Sequence, residues 1–258
     1  GSTGPIKTMP LDLARKQYLV TDFDPDPPYL ERLGHLVDLD LIRHARLEIL
    51  VDAMFGAGAG YFSKILSRRA ADDATRVREM NSVINPAFPG IAQPEPIAQN
   101  LAGLLQGMNE GNASVGLALD GDADRLGVVD ETGRFITTLE VFSLLAFYLL
   151  QVQGQRGALV KGVTSSMMLN KLGQQFGVDV HEMKVGFKYI GPKMSQVDAL
   201  IGGEESGGFA FRGHIPERDG ILSGLYFLEY MARTGKTPTE LISDLFKQVG
   251  DHYYHRRD

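Results

Sequence analysis

The chain has 258 residues, with 26 Lys and Arg against 32 Asp and Glu, and its formal net charge of −6 argues against nucleic acid or an anionic membrane as a partner. The absence of cysteine excludes disulfides, thiolate metal sites and a cysteine nucleophile within these residues, while 43% hydrophobic and 22% charged residues is an ordinary globular composition, enough for one or two domains. No secretory signal opens the sequence, and its longest apolar run, Leu139 to Leu150, is short for a bilayer span and includes Glu140 and Ser143, so a soluble cytoplasmic protein is expected.

Residues 1–33 read as an incomplete beginning that carries Asp24-Pro25-Asp26-Pro27-Pro28, a stiff, extended linker that suits neither helix nor central strand. Compact structure is expected from about Leu36. Leu47, Ile49 and Val51 alternate with Glu48, which predicts a strand. Gly56-Ala57-Gly58-Ala59-Gly60 then leads into a helix. Tyr61 stands where a dinucleotide fingerprint needs its third glycine, so the run is read as a tight helix entry. Ile97, Leu101, Leu104, Leu105 and Met108 predict an amphipathic helix over 96–109. Short strands at Val115 to Leu119 and Leu126 to Val129 bracket an acidic loop.

A helix over 139–151, apolar almost all round, opens a second unit. A strand at Ala158 to Val163, a helix capped by Ser165 and stopped by Gly177, and a strand over 178–184 make a βαβ pattern that favours a parallel sheet. Asp219 is placed as the N-cap of a helix over 220–233. Thr237-Pro238-Thr239-Glu240 is a capping box for a last helix, which Gly250 ends. The expected fold is α/β: two consecutive three-layer α/β/α domains, 34–134 and 135–258, with mixed, mainly parallel sheets.

The acidic loop is Asp120-Gly121-Asp122-Ala123-Asp124-Arg125. Residues i, i+2 and i+4 of an extended chain face one side, so three carboxylates converge there. Close carboxylates repel unless a cation joins them, and all-oxygen ligation selects Mg²⁺, Mn²⁺ or Ca²⁺. Arg125 adds a fork suited to phosphate. An EF-hand is rejected, since Arg125 occupies its glycine position and strands flank the loop. A haloacid-dehalogenase-type phosphatase would use Asp120 as nucleophile, but Asp124 replaces the usual Thr or Val. A solvated acidic turn is the plain alternative.

A second constellation, Gly202-Gly203-Glu204-Glu205-Ser206-Gly207-Gly208, follows the apolar stretch Ala199 to Ile201, and so lies where α/β folds bind ligands. Glu204 and Ser206 alternate with Glu205 and can enter one pocket, where a carboxylate and a hydroxyl suit sugar hydroxyls. Lys184-Val185-Gly186-Phe187-Lys188 and His214-Ile215-Pro216-Glu217-Arg218 add cations and an imidazole. Each also has a plainer reading: a surface turn, a solvated lysine, a structural histidine.

Taken in this order, the three stretches resemble the α-D-phosphohexomutase superfamily (phosphoglucomutase/phosphomannomutase), with Val185-Gly186-Phe187-Lys188 and Gly-Glu-Glu-Ser-Gly-Gly closest to the phosphoglucomutase branch. The resemblance implies four-domain enzymes that interconvert hexose 1-phosphate and 6-phosphate through a bisphosphate, using a phosphoserine and Mg²⁺. It further implies Asp120, Asp122 and Asp124 as metal ligands and Arg125 on the phosphoserine phosphate. Glu204 and Ser206 would hold the sugar hydroxyls, Lys188 and Lys184 would contact the phosphosugar, and His214 and Arg218 would stand nearby. No serine here has the family's Thr-Ala-Ser-His-Asn-Pro-like context. By the resemblance, residues 1–33 are the end of a missing first domain plus the following linker, and the chain is read as domains two and three alone, inactive as a mutase by itself, with self-association expected through faces left bare. Members that also act on mannose often carry His where Gly208 stands, which points to glucose 1-phosphate and 6-phosphate. The haloacid-dehalogenase-type phosphatase and a metal-free, stand-alone sugar-phosphate binding module are the alternatives.

Overall fold

The computed structural model describes residues 7–67 and 74–253. Helices α1 (Leu11–Lys16), α2 (Asp26–Leu36) and α3 (Leu39–His44) precede β1 (Glu48–Asp52), α4 (Tyr61–Leu66), β2 (Arg76–Met80), α5 (Ala102–Glu110), β3 (Val115–Leu119), β4 (Leu126–Val129) and β5 (Phe135–Ile136). The first sheet has the order β2-β1-β3-β4-β5, with β2, β1 and β3 parallel and the last two strands antiparallel. All five residues of β3 are buried, as an unbroken apolar run in a sheet covered on both faces must be. The strand's carboxyl end delivers Asp120 to the middle of the sheet edge.

The second half contains α6 (Thr138–Phe147), a π-helical turn over Tyr148–Val152, β6 (Leu159–Gly162), α7 (Met168–Phe176), β7 (Val180–Met183), α8 (Phe187–Val197), β8 (Ile201–Gly203), β9 (Phe209–Phe211), α9 (Gly220–Thr234) and α10 (Pro238–Val249). Its sheet runs β7-β6-β8-β9, parallel except for β9. The expected α/β class with mostly parallel sheets between helices is what the chain adopts.

Helix α5 covers the outer face of the first sheet, packing Leu104 and Met108 with Leu50 and Ala118, and α8 does the same for the second with Ile190 and Met194 beside Val160. The two inner faces share one core, to which α6 contributes Phe142 and Leu145 and α9 contributes Leu222 and Leu225. Helix α9 follows the second sheet in sequence and packs on both sheets: a Cβ on Gly224 would stand 2.6 Å from the Phe62 ring and 3.4 Å from Leu117 of the first, and the Tyr226 ring centroid lies 4.6 Å from that of Phe211 in β9 of the second. The core therefore runs across both sheets without a break.

Several expectations need correction. Asp26 opens α2 rather than a linker, because Pro27 and Pro28 fall in the helix's first turn, where a missing N–H breaks no helical hydrogen bond. Leu33 is fully buried, and the Tyr29 hydroxyl donates to Asp219 at 3.0 Å, so compact structure begins well before Leu36. Residues 1–6 of that stretch, like 254–258, lie outside the described residues. The helix expected over 96–109 is split into a 3-10 turn at Ala98–Asn100 and α5, because Leu101 leaves helical geometry at ψ 21°. Ser165 does not cap α7: the Met168 N–H donates to Ser166 Oγ at 3.1 Å, and Ser165 Oγ is buried without a partner. Strand β5 extends the first sheet to Ile136, two residues past the expected boundary at 134. The capping box at Thr237, the N-cap at Asp219 and the left-handed stop at Gly177 are present. Among the described residues, no helix is long and apolar enough to cross a membrane.

Candidate active site

The acidic loop is built by close backbone packing. Glycine is required at 56, where a Cβ would stand 2.6 Å from the Gly121 carbonyl oxygen, and the Ala57 N–H donates to that same oxygen at 3.0 Å. The glycine run after β1 is thus a platform for the loop after β3. From the other side, the Gly121 N–H donates to the Pro94 carbonyl at 3.2 Å. Ala123 takes a left-handed φ of 61°, a conformation that side chains rarely adopt and that the surroundings must hold in place.

One carboxylate oxygen from each of Asp120, Asp122 and Asp124 lies within 4.8 Å of the others. Asp120 is buried, Asp124 half-buried and Asp122 exposed. Burial, aided by the charges of Asp124 and Asp122, pushes the Asp120 carboxyl up to about 7, against the opposing hydrogen bond from the Arg125 N–H. Asp124 is also raised, chiefly by burial. Asp124 Oδ1 is buried and accepts no hydrogen bond. An all-carboxylate donor set with an unmet buried oxygen fits a hard divalent cation such as Mg²⁺.

Arg125 is fixed rather than free. Its Nη1 donates to Glu95 at 3.1 Å, its Nε lies 3.1 Å from Asp120 Oδ2, and its N–H donates to Asp120 Oδ1 at 3.0 Å. The same residue joins the two halves of the molecule. Arg125 pairs with Gly208 as an isolated antiparallel bridge, and the Leu126 N–H donates to the Gly207 carbonyl at 2.9 Å. Gly207, at φ 95°, has only 2.8 Å between its Cβ position and the Leu126 carbonyl oxygen, so neither the angle nor the space admits a side chain. The Gly220 N–H at the start of α9 donates to the Ala123 carbonyl at 3.0 Å. Acidic loop and Gly-Glu loop are therefore in direct contact.

Glu204 follows β8 and is buried; burial raises its carboxyl, while Arg218 and a hydrogen bond from the Gly186 N–H oppose the rise. Arg218 reaches both loops, with Nη2 2.6 Å from Asp124 Oδ2 and Nη1 3.4 Å from Glu204 Oε2. Ser206 is half-buried in the same turn, and Lys184 and Lys188 are exposed beside Gly186, Lys188 Nζ lying 5.2 Å from the Tyr189 ring centroid. His214 Nε2 is 3.1 Å from Oδ2 of Asp219, the residue after Arg218, so it supports the cap of α9 together with Tyr29.

Two charged residues escape sequence reasoning, one at the site and one on the strand beside β8. Glu95 lies 30 positions from Arg125, and only the flanking Pro94 and Pro96 hint at a constrained loop. Lys161 is buried in β6, one strand from Glu204, with Nζ 2.8 Å from Glu182 Oε2; a charged residue in an otherwise apolar strand was the available signal.

Comparison with known proteins identifies the family. Residues 27–133 match the family described as phosphoglucomutase/phosphomannomutase, alpha/beta/alpha domain II, and residues 139–249 match domain III of the same family. A phosphoglucomutase/phosphomannomutase of Thermococcus kodakarensis is 33% identical over 220 residues, 85% of this chain and 47% of the relative. A phosphoglucosamine mutase of Halalkalibacterium halodurans is 31% identical over 224 residues, 86% of this chain and 48% of the relative. The crystal structure of a candidate phosphomannomutase from Thermus thermophilus is 37% identical and superposes with a TM-score of 0.82, covering 88% of this chain and 52% of that one. The chain spans about half the length of the curated relatives it matches.

Proposed function

This chain belongs to the phosphoglucomutase/phosphomannomutase family, spanning its domains II and III, and we propose that it forms the metal-and-sugar side of a site that interconverts hexose 1-phosphate and 6-phosphate, with glucose as the hexose. The observation that carries this reading is the contact between the two loops: Arg218 lies between Asp124 and Glu204, and Arg125 pairs with Gly208. A cation held on one loop thereby faces a sugar held on the other.

Asp120, Asp122 and Asp124 would hold Mg²⁺, which when bound offsets the negative charge of a phosphoryl group in transfer. Arg125, clamped by Glu95 and Asp120, presents a pre-positioned guanidinium to the same phosphate. Glu204 accepts hydrogen bonds from two sugar hydroxyls, with Ser206 beside it, and the exposed Lys188 and Lys184 attract the distal phosphate. His214 acts through Asp219 on the start of α9, orienting the segment that carries Arg218. Family membership removes the basis for the phosphatase reading, in which Asp120 would be a nucleophile.

None of the 258 residues is a serine in the phosphoryl-carrying context, so these residues alone are expected to bind hexose phosphate without turning it over. Calorimetric titration with glucose 6-phosphate in the presence of Mg²⁺ tests the assignment: Glu204→Gln should weaken binding about tenfold or more, the loss of a charged hydrogen-bond partner. Wild-type affinity in that variant, or conversion of glucose 1-phosphate that survives Asp122→Ala, would refute it. Binding insensitive to chelator would favour a metal-free binding module instead.

A further inference from the structure

Arg218 is held by three independent features. Its guanidinium pairs with Asp124 at 2.6 Å and Glu204 at 3.4 Å, one carboxylate from each loop. Its Cζ lies 5.7 Å from the ring centroid of Phe187, the first residue of α8. Its aliphatic stem runs in a lane that exists only because residue 208 is glycine: a Cβ there would stand 2.3 Å from Arg218 Cδ and 2.9 Å from Cγ. The hold is nevertheless incomplete, because Arg218 Nε is buried and donates no hydrogen bond, Glu217 standing 3.4 Å away.

We propose that Arg218 is an internal counter-ion that competes with the divalent cation for Asp124 and so couples metal binding to the sugar loop. The inference rests on the metal reading given above and goes beyond it. With its fixed positive charge 2.6 Å from a metal-ligand carboxylate, Arg218 lowers the affinity of the acidic loop for a cation. A cation on that loop in turn weakens the hold of Asp124 on the guanidinium and leaves it to an anion beside Glu204, the phosphate of a hexose phosphate. Because such coupling is reciprocal, the phosphate that draws Arg218 away also tightens the metal site. Gly208 acts as a positioning residue, since any side chain there displaces the Arg218 stem.

Calorimetric titration of MgCl₂ into the full 258-residue chain tests this without any assay of activity. Arg218→Met should bind Mg²⁺ about tenfold tighter than wild type, within the range that site-to-site coupling produces. Arg218→Lys, which keeps the charge, should stay near wild type. Gly208→Ala should also bind more tightly, since it moves Arg218 off Asp124 while leaving it in the chain. A purely structural role predicts weaker binding, and a misfolded variant cannot gain affinity. Mg²⁺ binding no tighter than wild type in both Arg218→Met and Gly208→Ala, while Asp124→Asn abolishes it, overturns the competition alone. Wild-type binding in Asp124→Asn, or no heat from wild type and Arg218→Met alike, overturns the metal reading and the proposal with it.

Discussion

Asp120 carries the cost of the site at the scale of a single residue. Its carboxyl is raised from 3.8 to about 7 by burial beside two like charges. A raised acid stabilises the fold below its unfolded value, and that contribution is lost as the pH rises toward 7. The metal-free protein should therefore lose stability from this group between about pH 4 and 7, and Mg²⁺, which binds the ionised form, should bind more weakly as the pH falls below 7. Asp120→Asn keeps an acceptor for the Arg125 N–H and removes the charge. At pH 8 it should melt about 2–4 °C higher than the metal-free wild type and show no further shift with Mg²⁺. A lower melting temperature with an intact Mg²⁺ shift would contradict this. The three aspartates are legible in sequence because strand alternation puts positions 120, 122 and 124 on one side. Arg218 is legible only as a nearby cation, since its partners lie 94 and 14 positions away, and the Gly208 lane appears only in three dimensions. His214 is legible as an imidazole near Arg218, but its pairing with Asp219, the N-cap of α9, appears only in three dimensions.

At the scale of elements, β3 and β4 agree residue for residue with their apolar patterns, and α10 agrees with its capping box, because these signals are local. The prolines before α2 mislead, since Pro forbids a helix interior yet suits a first turn, and only the packing of Leu33 distinguishes the two cases. Nothing in sequence tells that α9 covers part of the first sheet as well as β9 of the second. Its placement on the first sheet depends on Gly224 against Phe62, so Gly224→Leu should destabilise the whole chain by about 2 kcal/mol or more through overpacking. Urea denaturation measures this, and a midpoint equal to wild type would mean that α9 packs elsewhere. Thr237→Ala, which removes a capping box on α10, should cost about 1 kcal/mol by the same measurement.

For the whole molecule, the continuous core means that the two α/β units should unfold together, and the contacts of the acidic loop with Gly207, Gly208 and Gly220 hold both loops to one register. Met9, Leu11, Leu13, Tyr18, Leu19 and Phe23 are exposed along the first described segment, enough apolar surface to expect self-association. Sedimentation should show the mean mass rising with concentration, and a constant monomer mass would refute it. The central claim, that the aspartates of one unit hold a cation facing the Glu204 loop of the other, is tested most directly by anomalous diffraction from crystals of this chain soaked in Mn²⁺. We predict one strong peak about 2.0–2.3 Å from a carboxylate oxygen of each of Asp120, Asp122 and Asp124, on the side of the loop that faces Glu204. Density that leaves the three carboxylates unligated, or a manganese bound away from that cleft, would contradict it.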